Sequence, residues 1–312
     1  MPMLSAEDLR SALDQACLWI TRSLRNFSLD NASGEIDQLL LFKPLGELVL
    51  TATLLNQIDA KDDCAEGWLA WAWDDFGCGR RLVDVLVARP DLIVLASLYA
   101  NFHENDFRSD ELMLAIEYIA QSDTCNAIEL PNWRRLDVDL ALEKLGFREF
   151  PVNPEYATWL ANMPEPWILS NDISYCITHE VFYITDFGQA RERLKPEIKF
   201  FISLWLPAWL KIYQSKSNAD LVSELLMVDR CINDGPAPDD IYSWLLAQQD
   251  PDGMFRSPPD AGRALRSPSD SAERIRFLSN YHTTLVAIMA LTMRLAGCQQ
   301  AAVPPRNNSP VH

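Results

Sequence analysis

The sequence predicts an all-α protein of about 12 helices, and three observations carry that expectation. Apolar residues recur at three- and four-residue intervals along most of the chain. No stretch alternates apolar and polar residues between turn signals, as a half-buried strand would, and strand-like pieces such as residues 181–185 fit inside helical runs. Capping residues stand where the periodic runs begin. Paired helices joined by short loops can bury their faces on their neighbours, so the elements suit a two-layer ring or solenoid.

The first helix is expected over residues 5–27, opened by Ser5-x-x-Asp8, a capping box in which each side chain satisfies the other's backbone N–H. Residues 41–58, 64–87 and 91–102 follow, with Asp62 and Asp63 before the third run and Pro90 starting the fourth, where a missing N–H costs nothing. Further helices are expected over 109–121, 133–145, 154–162, 171–184, 196–213, 218–232, 239–248 and 272–296. Two aromatic runs end in Asp-Phe-Gly, at 75–77 and 186–188, which suits a helix stop with glycine in the left-handed region. The other parts of a kinase are missing. Residues 253–273 are rich in Pro, Ser, Arg and Asp and read as a long mobile loop. No linker divides the chain, so residues 1–298 are expected to form a single helical domain and 299–312, polar and proline-rich, a disordered tail.

Composition narrows the function. With 44 acidic and 27 basic residues the net charge is −17, which opposes a phosphate backbone and argues against nucleic acid and anionic membrane surfaces. No apolar run is read as long enough to cross a bilayer, and the N-terminus lacks a signal-peptide pattern, so a cytoplasmic location is expected. The seven cysteines are scattered without a Cys-x-x-Cys pair and read as reduced thiols. No phosphate-binding glycine loop and no Gly-x-Ser-x-Gly is present.

Residues 244–255 resemble the repeat signature of squalene and terpene cyclases through Trp244, Leu245, Gln249, Gly253 and Phe255. That resemblance implies an α/α-toroid. Tyr281-His282-Thr283 resembles the segment that supplies a zinc-binding histidine in protein prenyltransferase β subunits, and Asp229-Arg230-Cys231 resembles the paired ligands of that family, with Arg230 in place of its glycine. By that likeness Asp229, Cys231 and His282 would form a three-ligand zinc site with one open position. Over most of its length the chain is similar to an uncharacterised bacterial family associated with natural-product and peptide biosynthesis, through residues 43–48, 89–99, 136–137, 178–188 and 281–284.

Polar residues in apolar surroundings are the remaining candidates. His179 lies in an aromatic, β-branched run and shares a predicted helical face with Tyr183 and Asp186. It reads either as a hydrogen-bonded core histidine or as an acid/base group. His282 opens the last helix beside Tyr281 and Thr283, and the two histidines are expected to converge across a central pocket. Glu180, Tyr281, Thr283, Glu47 and Glu224 are expected to bind substrate there, although Lys43 and Glu47, at i and i+4, could simply pair. Asp137-Val138-Asp139 lacks the final acid of the cyclase Asp-x-Asp-Asp and is set aside. The expected function is a pocket protein acting on a small molecule or peptide by histidine-based or zinc-assisted chemistry; the alternative is a non-catalytic module binding a peptide or a partner enzyme.

Overall fold

A computed structural model describes residues 4–32, 35–58, 63–151, 158–233, 238–259, 261–268 and 270–302. Among these are thirteen α-helices and no strand. A single antiparallel bridge joins Gln249 and Phe255. The helices are α1 (Ala6–Ser23), α2 (Glu35–Ile58), α3 (Asp63–Asp75), α4 (Arg80–Ala88), α5 (Ala96–Glu104), α6 (Asp110–Gln121), α7 (Asp123–Ala127), α8 (Asn132–Lys144), α9 (Asn171–Ile184), α10 (Pro196–Ser215), α11 (Ala219–Ile232), α12 (Asp239–Leu246) and α13 (Ala272–Ala302).

Local chemistry sets the boundaries. The Ser5–Asp8 capping box starts α1, and Ser170 and Asn218 cap α9 and α11 by accepting the N–H of Ile173 and Leu221. The run expected as one helix over 64–87 is two, because Gly77, Cys78 and Gly79 all have positive φ. Cys78 N–H reaches Trp73 O at 3.0 Å across that stop, in the manner of a Schellman motif. At the second Asp-Phe-Gly the left-handed turn begins earlier than expected, with φ of 44° at Asp186 and 52° at Phe187 before Gly188. Of the helix expected over 154–162, residues 154–157 lie outside the described residues, and Leu160–Asn162 form a 3-10 turn. α13 runs to Ala302, beyond the expected start of the tail, and residues 303–312 lie outside the described residues.

One large apolar core runs through the chain, with a smaller cluster around Leu136, Leu140, Phe150 and Tyr183. α2 packs on α5, α5 on α8, α8 on α9, α9 on α11, α11 on α13, and α13 again on α2. α1 lies against α13 and α3, α3 against α2, and α10 against α11 and α12. Every residue of α11 except Asp229 is buried, Asp220 and Glu224 included, so carboxyl groups sit where apolar side chains usually do. The segment Leu39–Gln57 of α2 is long and apolar enough to cross a membrane by length and composition, contrary to the reading above. Within the fold it packs on α3, α5 and α13.

The polar segment after α12 is docked, not free. Gln249 Nε2 donates to Ala12 O (2.8 Å) on α1 and to Gly253 O (3.0 Å). Phe255 is fully buried, with its N–H on Thr284 Oγ1, and Ser257 N–H reaches Asn280 Oδ1. Gly253, at φ 102°, passes so close to α1 that a Cβ would lie 2.1 Å from Gln15 O. Of the cyclase-like residues, Gln249 and Gly253 therefore fasten this segment to α1, and Phe255 ties it to α13.

Candidate functional site

The polar side chains with the strongest mutual ties lie on α2, α5, α8, α9, α11 and α13. His282 Nδ1 is 3.0 Å from Glu47 Oε2, and its Nε2 is 3.5 Å from Asp220 Oδ1, so one ring sits between two carboxylates. The Tyr175 hydroxyl donates to Asp220 Oδ2, and Thr283 Oγ1 lies 3.4 Å from Asp220 Oδ1. Tyr281, packed edge-on against Phe27, points its hydroxyl at Glu47. Lys43 meets Glu47 at 3.6 Å, so the i,i+4 pairing and the inward placement of Glu47 both hold.

His179 stands on the next face. Its Nδ1 lies 2.7 Å from Tyr175 O, and a carbonyl can only accept, so Nδ1 carries the proton and Nε2 holds the lone pair. Glu224 Oε2 is 3.7 Å from Nδ1 and accepts from the Thr178 hydroxyl. Trp133, Tyr175, Phe182 and Tyr183 surround the imidazole. At the edge Arg134 stacks on Trp133 and lies 3.4 Å from Asp137 Oδ2, which is also bonded to Ser97. His179 and His282 keep 26% and 28% of their side-chain surface exposed although helices pack on both sides.

The surroundings set distinct protonation states. Burial would lower the pKa of His282, but the Asp220 and Glu47 carboxylates outweigh it and raise it to about 10. Burial would likewise raise Glu47, but His282 and Lys43 bring it down to about 2. His179 lacks such support, and burial depresses it to about 4. Burial, reinforced by Asp220, pushes Glu224 up to about 8, and burial pushes Asp137 up to about 6. The surroundings thus favour the charged ring at His282, the neutral ring at His179 and the protonated carboxyl group at Glu224.

A histidine NMR titration should resolve the two rings, with His282 still doubly protonated at pH 8 and His179 neutral at pH 5.5. The sign for stability follows. His282 binds its proton more tightly in the folded chain, so its contribution is complete below the unfolded pKa of about 6.5 and is lost as pH rises toward 10. Both rings titrating together near 6.5 would refute this arrangement.

Other expected residues lie elsewhere. Asp186 falls beyond the end of α9, where the backbone turns left-handed, and pairs with Lys144 at 2.8 Å instead of joining His179. Glu180 projects from another face of α9, accepts the Leu160 N–H at 3.1 Å, and is pushed up to about 7 by burial. The expected zinc ligands are not assembled. Asp229 is held by Arg230 and Asn233, burial pushes the Cys231 thiol up to about 12, and His282 is held by its two carboxylates. Among the described residues no three His, Cys, Asp or Glu side chains are placed to hold a metal ion. These residues do not fit zinc. Asp220, read from the sequence as a possible interior partner of Glu47, joins the cluster; Tyr175, Trp133 and Asp137 complete it without having been assigned to it, and the signal was spacing, since 175, 179 and 183, like 133 and 137, repeat every fourth residue on one helical face.

These features define an all-helical protein with a buried cluster of carboxyl and imidazole groups. The chain belongs to the DUF6895 family, a domain of unknown function that matches residues 13–292 and so spans every residue of the cluster. Comparison with curated proteins and with solved structures gave no match.

Proposed function

We propose that the protein is an α/α-toroid whose central pocket binds a small molecule or peptide of a bacterial biosynthetic pathway in the cytosol and transforms it by acid/base chemistry. The cyclic order of packing supports the toroid: α2, α5, α8, α9, α11 and α13 each touch the next and the last touches the first, and each of the six contributes to the polar cluster. The observation that carries the chemistry is His179, a neutral imidazole whose Nδ1–H is committed to Tyr175 O, leaving Nε2 to accept a proton. His282 acts differently: as a permanent cation it holds Glu47 and Asp220 in place.

Diethyl pyrocarbonate, which acylates neutral imidazole nitrogens, should modify His179 at neutral pH and spare His282. The wild-type protein should consume a component of a metabolite extract from its host, and His179→Gln should slow that by roughly 100-fold or more. A native His179 that resists the reagent, or equal turnover by the variant, would sink the acid/base reading. A non-catalytic docking module is the second reading, favoured by one observation: Phe200, Leu204 and Ile212 on α10 are exposed, as is Trp167. In that case a partner enzyme would co-purify and Leu204→Glu would release it.

A further inference from the structure

The balance of charge inside the pocket identifies the kind of ligand it takes. Asp220 and Glu47 share the His282 imidazolium, Lys43 supplements Glu47, and Arg134 attends Asp137. Among the described residues no Lys or Arg pairs with Glu224, and the His282 imidazolium acts on it only weakly, less than burial does. The Glu224 side chain is 3% exposed, and its Oε2 accepts from the Thr178 hydroxyl. His179 Nδ1, 3.7 Å away, already directs its N–H at a backbone carbonyl. A buried carboxyl group without a counter-ion keeps its proton, and this one is pushed up to about 8.

Beside it stand the rings of Trp133, Tyr175 and Tyr183, grouped about His179. Aromatic faces attract cations through their quadrupoles, and an aromatic wall beside a carboxylate is the usual recognition surface for an organic ammonium group. We infer that the pocket takes a cationic ligand, an organic amine or ammonium compound, which supplies the missing counter-ion of Glu224 and lies against the aromatic wall. On binding, the Glu224 O–H bond breaks, its proton leaves to solvent, and the resulting carboxylate pairs with the ammonium. This inference rests on the pocket reading above and narrows it to one substrate class.

Three probes of similar shape and different charge test it on the full chain: benzylammonium, benzyl alcohol and benzoate, followed by calorimetry in two buffers of different protonation enthalpy. Benzylammonium should bind roughly tenfold or more tightly than the alcohol, with release approaching one proton, and benzoate should be excluded. Glu224→Gln should weaken benzylammonium binding roughly tenfold and abolish the proton release. If that variant does not fold, the ring signals of His179 in the wild-type protein serve instead, and benzylammonium should shift them while leaving those of His103 in place. Benzoate or benzyl alcohol binding more tightly and shifting His179 would overturn the cationic assignment and leave the acid/base pocket standing. Benzylammonium binding unchanged in Glu224→Gln, or failing to bind, would also overturn the assignment. If in addition diethyl pyrocarbonate fails to reach His179, the pocket reading falls with it.

Discussion

His282→Ala is expected to cost about 3–5 kcal/mol of unfolding free energy, read from urea denaturation at neutral pH. The ring lies between Glu47 and Asp220, both largely removed from water, and its loss leaves two carboxylates with only Lys43 and three hydroxyl groups for support. Breaking a buried pair from one side is far more costly than replacing it outright, because the orphaned charge has neither solvent nor partner. The loss should shrink in mildly acidic solution, where the abandoned carboxylates take up protons. A cost below about 1 kcal/mol would mean that water already screens the pair, as at an exposed salt bridge.

Gly253→Ala is expected to be comparably damaging, roughly 3–5 kcal/mol, from overpacking and a left-handed backbone combined. The new methyl would lie 2.1 Å from Gln15 O and 2.6 Å from the carbon of the same carbonyl, and φ is 102°. A helix backbone cannot step aside as a flexible side chain can, so the segment around 249–255 should lift from α1. Hydrogen exchange should then accelerate in α1 and in that segment together. Gly67→Ala in α3 is the control: nothing lies within 4 Å of its Cβ position, and removing a helical glycine should stabilise the protein by up to about 1 kcal/mol. Equal effects of the two substitutions would refute the close-approach argument.

Most helices were legible in the sequence because their signals are local: periodic apolar residues, capping side chains and proline at a first turn. Residues 171–184 were expected as a helix with those same ends. The break at residues 76–79 was harder, since apolar spacing continues through it and only the positive φ of three consecutive residues interrupts the helix. The site was readable to the depth that spacing allows. His179, Tyr183, His282, Glu47 and Glu224 come together, because polar groups in apolar helical runs have to find one another. Asp186 was grouped with His179 by carrying the helical spacing past the expected end at residue 184, where the chain in fact turns away. Spacing also names no partner across the fold. That Asp220, and not Asp229, would meet His282 depends on which turn of α11 faces α13, and Asp229 lies more than two turns further along.

The lock between residues 249–257 and the first helix bears on how the chain is made. α1 shelters against α13, some 250 residues further along, and its Ala12 carbonyl waits for Gln249. A ribosome adding about 5–20 residues per second needs roughly 15–50 s to deliver those partners, and until then the part of α1 that α13 covers stands bare. Nascent chains of this protein should therefore depend on a ribosome-associated chaperone, and their resistance to protease should rise late, once α13 has emerged, in place of growing helix by helix.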